Sequence, residues 1–228
     1  MAAGIPTVVH DSDIPNSRRD AFLGTDWYEI GRMQGEEMVR LLGGNRTGSP
    51  ERRPEGKIAY VGILGLNNME AGFRGLLDVL KKYPSIEVVG KFDDKANVEE
   101  AARITADLLS AHPDLAGLCG FDSNSGPGMA LAVKEARRAG IVKITTVDWE
   151  PEHLQLVREG VIQMLAGQKR ELFTWYGAQF LYDRVHQTNR LSASDAQAGI
   201  TNIPTSVNTG LLRITKANVN EFINRPAF

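Results

Sequence analysis

Cysteine is almost absent from this 228-residue sequence: Cys119 stands alone, so no internal disulfide and no thiolate metal cluster can form. It lies in the apolar run LAGLCGF, where a small buried hydrophobe is the expected role. The four histidines, His10, His112, His153 and His186, are too scattered for a local zinc motif and are expected at the surface or in turns. No apolar run reaches the ~18 residues of a bilayer-spanning helix. The start, MAAGIPTVVHD, lacks a basic stretch followed by an apolar core, so no signal peptide is expected there. Charge of one sign is also lacking. A net charge of −2 gives no electrostatic footprint for nucleic acid or an anionic membrane.

Catalytic signatures are missing as well. There is no G-x-x-x-x-G-K-[ST] phosphate loop, no G-x-S-x-G elbow and no H-E-x-x-H. The stretch GILGLNN does not complete a dinucleotide fingerprint. Paired carboxylates alone could serve a glycosidase, but nothing separates a proton donor from a base. The reading is a binding protein, not an enzyme, with no catalytic residue, cofactor or metal.

What is present is the composition of a globular chain, 42% hydrophobic and 24% charged, long enough for one large domain or two small ones. Short β-branched runs alternate with stretches of helical period, the pattern of a parallel sheet with covering helices. Strands are predicted at Ile5–His10, Lys57–Ile63, Ile86–Phe92, Leu115–Phe121, Val142–Val147 and Val161–Leu165. Helices are predicted near Trp27–Leu42, Asn68–Lys82, Val98–Ser110, Gly128–Ala139, Pro151–Arg158 and Arg170–His186. Met69, Phe73, Leu76, Leu77 and Leu80 form one apolar stripe on the second helix, which Tyr83-Pro84 stops. Gly43–Gly56 reads as an exposed loop and Thr188–Ile203 as a second polar connection. The segment VNTGLLRITKANVNEF reads as a last strand and a short helix.

In an open parallel sheet, ligands bind beyond the carboxyl ends of the strands. The residues there are Asp11-Ser12-Asp13, Asn67-Asn68, Asp93-Asp94-Lys95, Asp122-Ser123-Asn124-Ser125, Asp148-Trp149-Glu150 and Gln168. Carboxylates and amides hydrogen-bond neighbouring hydroxyls in pairs, which suits a sugar. Asp, Asn and Ser also cap helices. Ser125 and Glu150 read as caps, whereas Asp122 and Asp148 fall a few residues too early and read as ligand residues. Asp93 and Asp94 stay open between the two roles.

At these strand ends the sequence resembles the ribose-binding branch of periplasmic sugar-binding proteins. The segments AGIPTVVHDSD, GTDWYEIGRMQGEEMVRLLGG, NMEAGFRGLLDVLKKYPSIEVVG, LLSAHPDLAGLCGFDSNSGPGMALAVKEARRAG, KITTVDWEP, EGVIQMLAGQ and IPTSVNTGLLRITKANVNEF follow in family order. The resemblance implies a type I periplasmic-binding-protein fold, an α/β architecture of two Rossmann-like lobes with parallel sheets joined by hinge strands. Residues 1–25 and 169–207 would form a partial amino-terminal lobe, and residues 26–168 and 208–228 the carboxyl-terminal lobe. Ligand-binding positions fall on Asp11, Asp122, Asp148 and Gln168, with Asn67 weaker and Trp149 placed to stack on a sugar ring. Trp175 is expected in a core or on a lobe surface.

Two departures stand out. A sugar-binding arginine of the family falls on Gly72 or Met69, with Arg74 the nearest substitute. The βα units that open the family's first lobe have no counterpart, which implies a shortened chain whose exposed sheet edge could self-associate. The implied function is the solute-binding component of an ABC-type sugar transporter, periplasmic or at the extracellular surface. It would bind a small carbohydrate in the interlobe cleft by hinge closure and hand it to a membrane permease. The alternative is the ligand-sensing core of a LacI-like transcriptional regulator.

Overall fold

The computed structural model describes residues 4–43 and 54–225; most of the expected Gly43–Gly56 loop lies outside them. In chain order the elements are β1 (Val8–His10), β2 (Ala21–Gly24), α1 (Trp27–Leu41), β3 (Gly56–Gly62), α2 (Asn67–Leu80), β4 (Ile86–Asp93), α3 (Val98–Ala111) and β5 (Leu115–Gly120). They continue with α4 (Ser125–Glu135), β6 (Lys143–Val147), α5 (Pro151–Glu159), β7 (Met164–Gln168), α6 (Arg170–His186), β8 (Ser206–Asn208), β9 (Leu211–Thr215) and α7 (Val219–Ile223). The chain divides into two compact units, Met1–Asp26 with Gln168–Leu211 and Trp27–Gly167 with Leu212–Phe228.

The second unit is built on a six-stranded sheet of order β4-β3-β5-β6-β7-β9, in which β4, β3, β5, β6 and β7 pair in parallel. Its central strands are buried along most of their length, Ile58 to Val61 of β3 and Leu118 to Cys119 of β5 among them, as expected when helices cover both faces. A core cluster joins β3, β5 and β6 to α3, α4 and α5 through Ala59, Ile104, Leu118, Met129, Ile144 and Val157. Local signals set the helix ends. Asn97 caps α3 by accepting the Glu100 N–H at 2.9 Å. Pro151 opens α5, and Gly160 closes it in the left-handed conformation at φ 81°.

Helices α1 and α2 meet through glycines. A Cβ on Gly31 would fall 1.7 Å from the Gly72 carbonyl oxygen, and one on Gly75 would fall 2.0 Å from that of Tyr28. Gly72, Gly75 and Val79 are buried with Met69, Leu76 and Leu80, while Phe73 and Leu77 are only half-buried. The packed face therefore includes small residues that an apolar stripe does not reveal.

Several boundaries differ from the sequence reading, β1 among them, which begins at Val8 rather than Ile5. The predicted strand at Val161–Leu165 begins instead at Met164, because the Val161 and Ile162 N–H groups bond to the Leu156 carbonyl at the end of α5 (3.0 and 3.2 Å). Helix α4 starts at Ser125 and ends at Glu135, ahead of Arg137, whose φ of 55° is left-handed. Strands β2 and β8, of four and three residues, carry too little pattern to stand out alone.

The first unit contains a three-stranded parallel sheet of order β1-β2-β8. Helix α6 lies on it, with Phe173 buried and Gly177 against Val8 and Leu23. Arg19 ties the unit together: its Nε and Nη2 donate to Asp13 at 2.5 and 2.7 Å, and Nη1 donates to the Thr205 carbonyl at 2.8 Å. Arg184 of α6 donates to Asp20 at 3.0 Å. The outer side of α6 leaves Trp175 73% exposed, with Tyr182 and Val185 also exposed. Among the described residues no helix is long and apolar enough to cross a membrane.

Candidate strand-end binding site

In the second unit the chain order of the strands reverses between β3 and β5, so the loops into α2 and α4 flank the point where open α/β sheets hold ligands. The α4 side is the more fully built. Gly120 ends β5 where a Cβ would meet Thr146 Oγ1 at 2.4 Å and Ser125 Cβ at 2.9 Å, so the absence of a side chain lets the helix start close to the sheet. Asp122 follows, 5% exposed. Its Oδ1 accepts the N–H groups of Asn124 (2.7 Å) and Ser125 (3.2 Å), and its Oδ2 accepts the Ser125 hydroxyl at 2.9 Å.

This corrects the expected division of labour. Asp122, not Ser125, satisfies the first N–H groups of α4, while Asn124 at the cap position makes no side-chain cap bond. Ser125 Oγ instead reaches Asp94 Oδ2 at 2.6 Å. Asp94, left open by the sequence, has no exposed surface. Burial, hydrogen bonding with Asp122 and the charge of Asp122 push its carboxyl up to about 7. Tyr60 lies nearby; burial, then the charges of Glu70, Asp122 and Asp94, push its hydroxyl far above the usual tyrosine range.

On the neighbouring strand β6, Asp148 follows the last residue and is 6% exposed, with its N–H on the Ala166 carbonyl at 3.3 Å. Its φ of 68° is left-handed, a conformation that is uncommon for residues with a Cβ and costs free energy. Gln168 ends β7, the next strand, and is 3% exposed. Asp122, Asp148 and Gln168 thus stand at the carboxyl ends of three consecutive strands of one sheet.

The loop after β3 delivers Asn67 and Asn68. Asn67 is exposed, whereas Asn68 buries its Oδ1 without a hydrogen-bond partner; an unsatisfied buried acceptor calls for an explanation, and only its neighbour was singled out by the sequence. Trp149 is 8% exposed and belongs to the core of its unit. The Arg225 guanidinium sits 4.3 Å from its ring centroid and Phe222 meets it edge-on at 5.6 Å. The ring is thus held by residues of its own unit directly beside Asp148. Met69 and Gly72 are buried, and a Cβ on Gly72 would meet Phe121 at 2.5 Å. Neither position accommodates an arginine, and Arg74 is exposed. His153, expected near the surface, is 2% exposed, with Nδ1 3.3 Å from Glu150. Cys119 is buried as expected, and burial pushes its thiol up to about 12.

In the first unit Asp11 follows β1. Its φ is 66°, its N–H bonds to the Leu23 carbonyl at 3.0 Å, and its Oδ1 is buried without a hydrogen-bond partner. Asp11 and Asp148 therefore share an unusual trait, an acidic side chain on a left-handed residue directly beyond a parallel strand.

Parallel α/β sheets with acidic and amide groups at their carboxyl ends are the arrangement in which open sheets of this class hold small ligands. The family profile described as periplasmic binding protein domain matches residues 1–187. The chain belongs to that family.

A D-apiose import binding protein of Paraburkholderia graminis is 27% identical over 148 residues, 63% of this chain and 43% of its own length. Among solved structures, a sugar-binding protein of a sugar ABC transporter from Bacillus halodurans is 29% identical with a TM-score of 0.84. It is matched over 97% of this chain and 72% of its own. AraP, an arabinose binding protein from Geobacillus stearothermophilus, is 30% identical with a TM-score of 0.81, over 97% of this chain and 71% of its own. The chain thus spans under half the length of the curated relative and about seven tenths of the two solved structures.

Proposed function

We propose that the protein binds a small carbohydrate as the solute-binding component of an ABC-type importer in the periplasm, with a membrane permease as its partner. The observation that carries this reading is the row of buried Asp122, Asp148 and Gln168 at successive strand ends of one sheet. Such groups accept from and, for Gln168, donate to sugar hydroxyls. Asp11, with its buried unpartnered Oδ1, is the corresponding group of the first unit, and Asn68 joins Asn67 on the α2 side. The first unit stands for part of the amino-terminal lobe and the second for the carboxyl-terminal lobe. Ligand-linked hinge closure belongs to the same proposal, since a sugar that favours one conformation shifts the population toward it. The free edge of β1 is a candidate for self-association.

The relatives' descriptions as import and transporter sugar-binding proteins favour this reading over a LacI-like regulator. The test is a thermal-shift screen of pentoses, hexoses and polyols on the full chain, with D-apiose and arabinose included and molecular size measured alongside. A rise in melting temperature with at least one of these sugars is expected. No rise with any of them, from a folded sample, refutes the assignment.

A further inference from the structure

Among the described residues Asp94 is the only carboxyl-bearing residue with no exposed surface. Its position is strongly determined. Its carbonyl accepts the Asn97 N–H at 3.0 Å and its Oδ1 accepts the Ala96 N–H at 3.1 Å. Lys95 and Ala96 both adopt left-handed φ values, 55° and 54°, which residues with a Cβ disfavour. The loop after β4 thus bends unfavourably while turning this carboxyl inward.

Asp94 Oδ2 lies 2.6 Å from Ser125 Oγ, and Ser125 Oγ lies 2.9 Å from Asp122 Oδ2. A serine hydroxyl carries one proton and donates to one acceptor. Both short contacts are hydrogen bonds only if one of the two carboxyl groups carries a further proton. No lysine or arginine among the described residues forms an ion pair with either acid.

The titratable groups packed around the pair come from several elements, and His153 of α5, which lies against Gly126 next to Ser125, has its Nδ1 3.3 Å from Glu150. Tyr60 from β3 is buried, with its hydroxyl toward the Met69 carbonyl. Glu70 of α2, beyond Tyr60, is engaged by Lys91 at 2.7 Å. Cys119 of β5 stays a neutral thiol. On the loop and the first turn of α3, Lys95, Glu99 and Glu100 are exposed or partly so. Two buried carboxylates this close disfavour each other's charged form, so one of them holds its proton to a higher pH than a free aspartate does.

We infer that Asp94 is a positioning residue for Asp122: the Asp94–Ser125–Asp122 chain holds one shared proton, and that proton keeps the Asp122 carboxyl oriented to meet a sugar hydroxyl. The inference rests on the sugar-binding reading of Asp122 given above. Asp122 is tied through Oδ1 to the start of α4, so loss of the proton bears on its Oδ2 side. Burial and the neighbouring Asp122 hold the Asp94 proton up to about 7, which places its loss in the neutral-to-alkaline range.

The experiment compares the wild-type chain with D94N and D94A. Without sugar, carbon NMR of protein labelled at the aspartate carboxyls should show one carbon titrating near neutrality, absent from D94N. With D-apiose and arabinose as probes, wild-type affinity should fall on the order of tenfold between pH 6 and 8.5, since one unit of linked pKa change is a tenfold change in binding. The amide of D94N can donate to Ser125 without a titrating proton, so its affinity should be pH-independent and near the wild-type acidic value. D94A should bind weakly throughout. A carboxyl set that titrates wholly in the ordinary aspartate range overturns the inference, as does a wild-type pH profile superimposable on that of D94N. If the neutral-range carbon is present but neither sugar binds at any pH, the shared proton is supported and the sugar reading of Asp122 is the part that fails.

Discussion

Replacing Gly31 by alanine puts the packing of the second unit to a quantitative test. The added Cβ would lie 1.7 Å from the Gly72 carbonyl oxygen and 2.6 Å from its carbon, where ordinary contact begins at 3.4 Å. Helices α1 and α2 must part locally by about 1.7 Å, because the obstacle is backbone and cannot rotate away. Overpacking typically costs ~1–3 kcal/mol and sometimes more, and a backbone collision belongs at the upper end, ~3 kcal/mol. For a protein of this size that lowers the melting temperature by roughly 6–12 °C.

The control is Gly65→Ala, where φ is +84° and nothing lies within 4 Å of the new Cβ, so only the left-handed backbone is penalised, by ~1–2 kcal/mol. Urea unfolding followed by fluorescence of Trp27 and Trp149, both buried in this unit, reads the difference. Equal destabilisation by the two substitutions would refute the close-approach argument. Because α2 carries Asn67 and Asn68 at its start, Gly31→Ala should also weaken sugar affinity.

Other outcomes follow from single residues. Burial alone would push the Glu37 carboxyl up, but bonds from Arg40 and Arg213 outweigh it and hold the group below the usual glutamate range. Its stabilisation is therefore complete above that range and is lost as pH falls toward the depressed value; Glu37→Gln should flatten that part of an acid titration of stability. Cys119, buried and with its thiol pushed up to about 12, should react with iodoacetamide only as fast as the protein unfolds, and rapid labelling of the native state would contradict this. Trp149→Ala should cost ~3–5 kcal/mol in urea unfolding, as core aromatic truncations do, and a loss below about 1 kcal/mol would place the ring outside the core.

The parallel α/β architecture was legible because burial on both faces writes itself as continuous apolar runs, as in Ile58–Val61. The row of strand-end carboxylates was legible for the same reason, since each follows such a run directly. Less visible was anything set by contact between distant segments. Asp122 reads as too early to cap α4, yet an aspartate that turns back on its own backbone reaches both N–H groups. Asp94 carried no local sign of its burial, which depends on Ser125, 31 residues away. Trp149 follows a strand-end acid and reads as a stacking platform, and Phe222 and Arg225 from the chain's end engage it. Strands β2 and β8 were hidden by brevity, since each makes sense only as the neighbour of the other.

Calorimetric titration of D-apiose and arabinose into the wild type and the Asp148→Ala variant tests the central claim most directly. Removing a charged hydrogen-bond acceptor should lose ~1.5–3 kcal/mol, roughly ten- to over a hundredfold in affinity, with the variant still folded and of unchanged size. Binding of equal strength in both proteins would contradict the claim that strand-end carboxylates hold the sugar.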